Sequence, residues 1–571
     1  LAAAVAGGSA FGQAKPYRVV LLTTGGSAGT PVPLGSGATS AMVPIGRHTL
    51  GINDSGIITG GFEVAVGGLA RTHAFVWSPV AIGSGGTQLP AQTVFDLHVA
   101  AFGASSEGQS FANDINNNRI AVGLAGDGLF AANDAFAHSW SIPGTNVTAL
   151  NLHGVVSGQP SITDFSSAHA INNGTTPLIV GEAARVCNPG DSRFRYIRPF
   201  STVNAAASMI LLGVSSGKTD GGAFGVRTAL PRVVIGQDFN TDTNGDPCDD
   251  EANPNVCPFL PLDGLRWGTT TAPTALIPAD LPDSGAVGRG TNESGDGIGY
   301  GHDILSEIDC QRIAAYWRDG SSATTASRPG DFMPFDAAGT QSLVGEPSWA
   351  EAVTNRGTTG CVTAVGGCTS FAEGLIWHGG NYFGWCVENL NHIAIRPAGF
   401  VIEFAHDITS NRHIAAVVSS DNIAYAALLT ASGDTNGDLR VNGADRTIIV
   451  ANYCASGTCT PQQLLYDLDD DGDVDVDDVG VWATQFSGTA ICRIGTICAC
   501  SPDDGGASEA MEAAVPLSTG LSLDEALAAL GFASPQAFAT WTCNVDEATA
   551  SAACDQLASL MGETPEGGEN E

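Results

Sequence analysis

Along the first three-quarters of the chain, short apolar runs alternate with clusters of Asn, Asp, Ser and Gly. The clearest stretch is Gly51-Ile52-Asn53-Asp54-Ser55-Gly56-Ile57-Ile58-Thr59-Gly60, followed after a variable segment by His73-Ala74-Phe75-Val76-Trp77. It predicts a short apolar strand, a polar turn, a β-branched strand closed by glycine, a loop, and a third strand ending in an aromatic. One such unit has no buried face of its own, so it must stack on copies of itself.

Copies follow. They are Asp114–Gly123 with Trp140, Ala170–Gly174 with Ile179-Val180-Gly181, Val233–Gly236 with Gly264–Trp267, Thr291–Gly295 with Trp317, Val353–Gly357 with Trp377, and Asp407–Asn411 with Ala427-Leu428-Leu429. Aligning strand starts at 52, 115, 171, 227, 291, 353 and 408 gives steps of 63, 56, 56, 64, 62 and 55. Trp77, Trp140, Trp267, Trp317 and Trp377 hold one place in their copies and are expected to be core aromatics between units. Tyr17-Arg18-Val19-Val20-Leu21-Leu22 precedes the first copy, and the seventh stops without its closing strand. If the first strand completes the seventh unit, the sheets close in a circle with only short edges. The expected fold is therefore mainly β: a seven-bladed β-propeller over residues 15–432, in preference to an open solenoid, whose repeats are usually shorter.

The Ile-Asn-x-x-Gly-x-Ile-x-Gly pattern followed by Thr72-His73-Ala74-Phe75-Val76-Trp77 resembles the HAF repeat of bacterial extracellular proteins. The other copies keep mainly the tryptophan. The resemblance implies a fold and a location, not an activity.

Composition points the same way. Glycine supplies 73 of 571 residues, well above the usual share of about 7%. Residues 1–14 are small and apolar and end in a plausible cleavage site after Ala14, as in the tail of a secretory signal. No later run is apolar for the roughly 18 residues that a membrane span requires. Fourteen cysteines in an exported chain read first as disulfides. Cys248 with Cys257, Cys361 with Cys368, and Cys454 with Cys459 are close enough to staple single loops. The net charge is −36, and from Asp434 onward there are 24 acidic against 3 basic residues. Such a surface repels nucleic acid and anionic membrane and attracts divalent cations.

Two segments after Asp434 carry the sharpest chemistry. Asp434-Thr435-Asn436-Gly437-Asp438-Leu439-Arg440-Val441-Asn442-Gly443-Ala444-Asp445 places oxygens at positions 1, 3, 5, 9 and 12. Asp467-Leu468-Asp469-Asp470-Asp471-Gly472-Asp473-Val474-Asp475-Val476-Asp477-Asp478 repeats the arrangement, and an apolar helical stretch follows each loop. Calcium takes six to eight oxygens, which alternate side chains, the position 7 carbonyl and a terminal carboxylate can supply. The valine at position 8 is expected to face a small core between the loops. Duplicated loops with a terminal Asp and one helix each resemble a type I dockerin. That resemblance implies Ca2+ held by Asp434, Asn436, Asp438, the Arg440 carbonyl and Asp445, and a second ion held by Asp467, Asp469, Asp471, the Asp473 carbonyl and Asp478. Asn442 and Asp475 would reach through water. Leu439 stands where the loop usually has glycine, which is expected to weaken the first site. A further candidate, Asp242, Asn244 and Asp246, resembles the calcium loops of thrombospondin type 3 repeats, with Pro247 at the turn.

Residues 433–488 thus form a dockerin-like calcium-binding module, and 489–571 a helical, cysteine-containing tail with an acidic, disordered end. Gly25-Gly26-Ser27-Ala28-Gly29 and Gly213-Val214-Ser215-Ser216-Gly217 match a nucleophile elbow only as glycine-rich chains do freely. No metalloprotease, phosphate-loop or dinucleotide motif occurs. The histidines His48, His73, His138, His169, His302 and His406 read as structural. The sequence therefore favours a secreted, non-catalytic, calcium-binding scaffold or adhesion protein whose module attaches it to a cohesin-type protein or cell-surface component. The alternative is a carbohydrate-active enzyme or lectin of a cohesin-linked, polysaccharide-degrading system. Carboxylates and aromatics in the propeller mouth favour the alternative; small and apolar residues there favour the scaffold.

Overall fold

The computed structural model describes residues 15–494 apart from several intervening stretches, the longest being 35–49, 240–262 and 328–347. Residues 1–14, the candidate loop at Asp242–Asp246, the Cys248–Cys257 pair, Cys361 and nearly all of the tail lie outside the described residues. The chain divides into two compact units: Leu21–Asn391 with Phe400–Leu428, and Leu1–Val20 with His392–Gly399 and Leu429–Glu571.

Seven sheets follow one another along the chain, as the repeat predicts. Six are four-stranded antiparallel meanders in chain order. Their first strands are Leu50–Ile52, Gln109–Ile115, Phe165–Ile171, Asp220–Val226, Ala286–Thr291 and Ser348–Val353. The seventh orders Val401–Ile408, Ile414–Ser420, Ile423–Ala431 and Tyr17–Leu21, with the short strand Ala394–Ile395 outside. The N-terminal strand thus completes the last sheet, and the fold is a seven-bladed β-propeller. The aligned positions need one correction. Ile52, Ile115, Ile171, Thr291, Val353 and Ile408 end the first strand of their blades rather than begin it, and Arg227 lies just past the first strand of blade 4, because the turn follows immediately.

The tryptophans fill the gaps between blades. Trp140 of blade 2 packs among Ile57, Ala74 and Val76 of blade 1. Trp267 meets Leu178 and Val180 of blade 3, Trp317 meets Val233 and Ile235 of blade 4, and Trp377 meets Ile298 and Tyr316 of blade 5. In blade 3, which lacks the tryptophan, Phe200 fills the gap against Val122 and Ala137. His73, from the tripeptide that names the repeat, is buried; its Nδ1 lies 2.7 Å from Asp96 Oδ2 in the outermost strand of the same blade.

The repeat asparagine works twice. Asn116 Oδ1 accepts hydrogen bonds from the Asn118 and Ile120 amides, closing its own turn, while Nδ2 donates to the Asn172 carbonyl of the next blade at 3.0 Å. Asn53 and Asn172 do the same, their Nδ2 groups donating to Asn116 O and Arg227 O. Asn292 Nδ2 donates to Thr354 O at 2.8 Å. In blades 6 and 7 threonine stands at this place; the Thr354 and Thr409 hydroxyls accept their own turn's amide and have no NH2 to reach onward. Blade 7 is joined to blade 1 through aspartates. The Ile52 amide donates to Asp407 Oδ2 at 2.8 Å, and the Ser410 amide donates to Asp54 Oδ1 at 2.9 Å.

Asp407 holds the penultimate place of its strand, where the other blades have Gly51, Asp114, Ala170, Gly225, Gly290 and Ala352. Neighbouring strands approach closely here: a Cβ on Gly51 would lie 2.6 Å from Asp114 Cα, and one on Gly290 2.5 Å from Glu351 O. Only a small side chain fits, or an aspartate that reaches the next blade's amide, as Asp114 does to Ile171 N at 2.9 Å.

Candidate metal centre

The two acidic loops have one backbone plan written in different residues. Thirty-three residues separate Asp434 from Asp467, and the same interval separates Asp445 from Asp478 and the helix Gly443–Ala451 from the helix Val476–Thr484. In the first loop, Asp434 accepts the Asp438 and Leu439 amides at 3.0 and 2.9 Å. In the second, Asp467 accepts the Asp471 and Gly472 amides at 3.2 and 2.9 Å. At position 12, Asp445 accepts the Asn436 and Asn442 amides, and Asp478 the Leu468 and Asp475 amides. At position 9, Asn442 and Asp475 cap the helices, forming capping boxes with Asp445 and Asp478. Each terminal carboxylate therefore sits at a helix N-terminus, which favours negative charge.

Positions 4 and 6 of both loops are left-handed: Gly437 (φ 72°) and Leu439 (φ 68°), then Asp470 (φ 60°) and Gly472 (φ 92°). Glycine relieves one position in each loop, at different places. Leu439 adopts this conformation without glycine's freedom, and its side chain is buried. Val441 and Val474 at position 8 are both buried. Their backbones pair crosswise: Val474 with Cys454, three residues past the first helix, and Val441 with Ser487, three past the second. The Cys454–Cys459 disulfide lies in the connection between the halves, as its spacing predicts.

The donor set converges in the second loop. Carboxylate oxygens of Asp467, Asp469 and Asp471 all lie within 4.8 Å of one another. Burial, then the charges of Asp471 and Asp467, push the Asp469 carboxyl up to about 7. Burial and Asp445 push Asp434 up to about 7, and burial does the same to Asp478. Mutually repelling carboxylates held together by amide donors suit a hard cation with oxygen ligands. Asp473 and Arg440 stand at position 7, where the ligand would be a backbone carbonyl. Asn436, Asp438 and Asp471 stand where their side chains would join the set.

Two cations that the sequence reading did not single out flank this module. Arg18 is buried, its Nε donates to the Ser432 carbonyl at 2.9 Å, and its guanidinium lies 5.4 Å from the Tyr466 ring. Burial lowers its pKa to about 10, against the attraction of Tyr466, Asp434 and Asp445. Lys15 Nζ lies 2.7 Å from Asp470 Oδ1. Both lie more than 400 residues upstream of the loops, so no local pattern could flag them.

In the larger unit, the first strands surround a cavity of about 180 Å³. In blades 2 to 7 a β-bulge inserts one extra residue there: Asn113, His169, Phe224, Arg289, Glu351 and His406. Bulges re-aim side chains, and here they link neighbouring blades. The His169 and Phe224 rings are 5.1 Å apart, Arg289 Cζ is 5.5 Å from Phe224, and Arg289 Nε is 3.9 Å from Glu351 Oε1. The lining is polar and acidic, with the carboxylates of Asp54, Asp114, Glu293, Glu351 and Asp407 beside the Phe224 and His169 rings, and is not an apolar channel. Two of its carboxylates, Asp114 and Asp407, each accept two backbone amides.

No family model matches this chain, and no curated protein does. Among solved structures, the polysaccharide lyase Uly1 is similar over 73% of this chain and 97% of its own, with 9% identity and a TM-score of 0.41. An ulvan lyase is similar over 72% and 95%, with 10% identity and a TM-score of 0.35. The Trypanosoma rangeli sialidase is matched over 69% of this chain but only 60% of its own length, at 9% identity and a TM-score of 0.33. Likeness this distant carries no inference about activity; strand pairing alone establishes the propeller.

Proposed function

We propose that this is an extracellular calcium-binding scaffold or adhesion protein in which two Ca2+ ions occupy the loops Asp434–Asp445 and Asp467–Asp478. The observation that carries the reading is the repeated loop geometry. Two different sequences adopt one backbone in which the first carboxylate accepts the amides of positions 5 and 6 and the last accepts an amide near the start of the loop. The propeller presents the binding surface, and the module attaches it to a cohesin-type protein or another cell-surface component. Thermal unfolding of the full chain in calcium, in magnesium and in chelator tests the metal assignment. A midpoint raised by calcium well above magnesium supports it, since a ligand bound only to the folded state stabilises that state. Identical midpoints in all three overturn it. Capture by immobilised cohesin domains, with and without chelator, tests the attachment.

The alternative, a carbohydrate-active enzyme or lectin acting on polysaccharide, draws on the central cavity with its Arg289, His169 and carboxylates. It is the weaker reading, because Asp114 and Asp407 are already engaged with the amides that hold the ring together.

A further inference from the structure

The N-terminal strand is gripped by the entrances of both acidic loops. Ser432, two residues before Asp434, donates its amide to the Pro16 carbonyl at 3.1 Å and accepts Arg18 Nε at 2.9 Å. On the second loop, the Leu468 carbonyl accepts the Lys15 amide at 3.3 Å, Asp470 pairs with Lys15 Nζ at 2.7 Å, and the Tyr466 ring lies against the Arg18 guanidinium. Residues 15–18 are therefore bracketed by the segments that carry the first ligand of each loop, Asp434 and Asp467. The first loop also grows directly out of the last sheet: Thr430, within the strand Ile423–Ala431, donates its hydroxyl to Asp434 Oδ2 at 2.8 Å. Gln485, just past the second helix, accepts the Gly433 amide at 2.8 Å and donates to the Ser432 hydroxyl at 2.9 Å.

We infer that the paired loops are a calcium-dependent clasp on the chain's own N-terminal strand, the strand that completes the seventh sheet. This rests on the calcium reading above. With its carboxylates neutralised by a cation, each loop fixes its entrance, and so fixes Ser432 on one side of residues 15–18 and Tyr466, Leu468 and Asp470 on the other. Without the cation, the carboxylates repel one another, the entrances loosen, and the strand is held by its sheet partners alone. The coupling is reciprocal: a chain whose N-terminal grip is weakened binds calcium less tightly.

Hydrogen exchange of the full chain, followed by mass spectrometry in calcium and in chelator, reads this directly. Amides of Tyr17–Leu21 are expected to exchange faster by about tenfold or more in chelator, while those of Phe165–Ile171 in blade 3 keep their rates. Calorimetry on the same samples reports whether calcium binds. The charge-keeping variant Arg18→Lys, which removes the Nε bond to Ser432 and the guanidinium on Tyr466, is expected to weaken calcium affinity by about threefold or more through linkage. Unchanged exchange of Phe165–Ile171 in that variant guards against a folding defect. Calcium binding with unchanged Tyr17–Leu21 exchange overturns the clasp and leaves the metal reading standing. Equal acceleration at Phe165–Ile171 overturns the clasp in favour of global stabilisation. No calcium binding overturns both.

Discussion

Replacing Asn116 by alanine removes one side chain that makes three hydrogen bonds from a 2% exposed position. The Asn118 amide belongs to an exposed residue and can turn to water. The Ile120 amide and the Asn172 carbonyl are enclosed between blades 2 and 3 and lose their partners. Each buried polar group left unsatisfied costs about 1–3 kcal/mol, so the expected loss is about 2–6 kcal/mol. Asn117 is the control. Its side chain also bridges blades, accepting the Asp54 amide at 2.9 Å and donating to Asp54 Oδ2 at 2.7 Å, but on the exposed side of the turn. Asn117→Ala should cost less than about 1 kcal/mol, because water replaces what is lost. Urea unfolding of the two variants, followed by tryptophan fluorescence, gives the comparison, since the tryptophans sit between blades. Equal midpoints for the two variants would refute the claim that the repeat asparagine is a buried inter-blade staple.

Trp140→Ala should cost about 3–5 kcal/mol, because the ring is fully buried between blades 1 and 2; a loss under about 1 kcal/mol in urea titration would contradict that placement. Burial, then the charge of Asp114, holds the Asp407 carboxyl well above the usual range, and burial raises Asp114 to about 6. At these two groups the folded protein binds more protons than the unfolded, so their contribution to stability is fully present below the unfolded value of about 4 and is lost as pH rises through the folded values. Asp407→Asn should flatten that decline above about pH 4, measured as unfolding midpoint against pH; an unchanged slope would count against it. Leu439→Gly relieves a left-handed φ but empties a buried site, and the second effect wins by about 1–3 kcal/mol. Calcium-saturated melting of that variant above the parent would reverse this ranking.

The ring was legible because one period governed it. The asparagine turn and the tryptophan recur at nearly fixed places, and each marks a contact that every blade must make with its neighbour. The short outer strands, such as Phe95–Asp96, Ile210–Leu211 and Ala326–Ser327, carry no shared pattern because they pair on one side only. The loops were legible for a different reason: their amide-to-carboxylate bonds are local, so spacing alone forecasts them. The asparagine read as a turn residue, but its NH2 group reaches a blade 55 to 63 residues away, which no local pattern reveals. Arg18 and Lys15 escaped for the same reason. The bulge residues were hidden too, since a bulge depends on the pairing of two strands and leaves no signature in one.

Calorimetric titration of the chelator-treated full chain with calcium tests the central claim most directly, carried out on the parent, on Asp434→Ala and on Asp467→Ala. The account predicts two ions for the parent and one for each variant. No binding in the parent, or two ions in both variants, would contradict it.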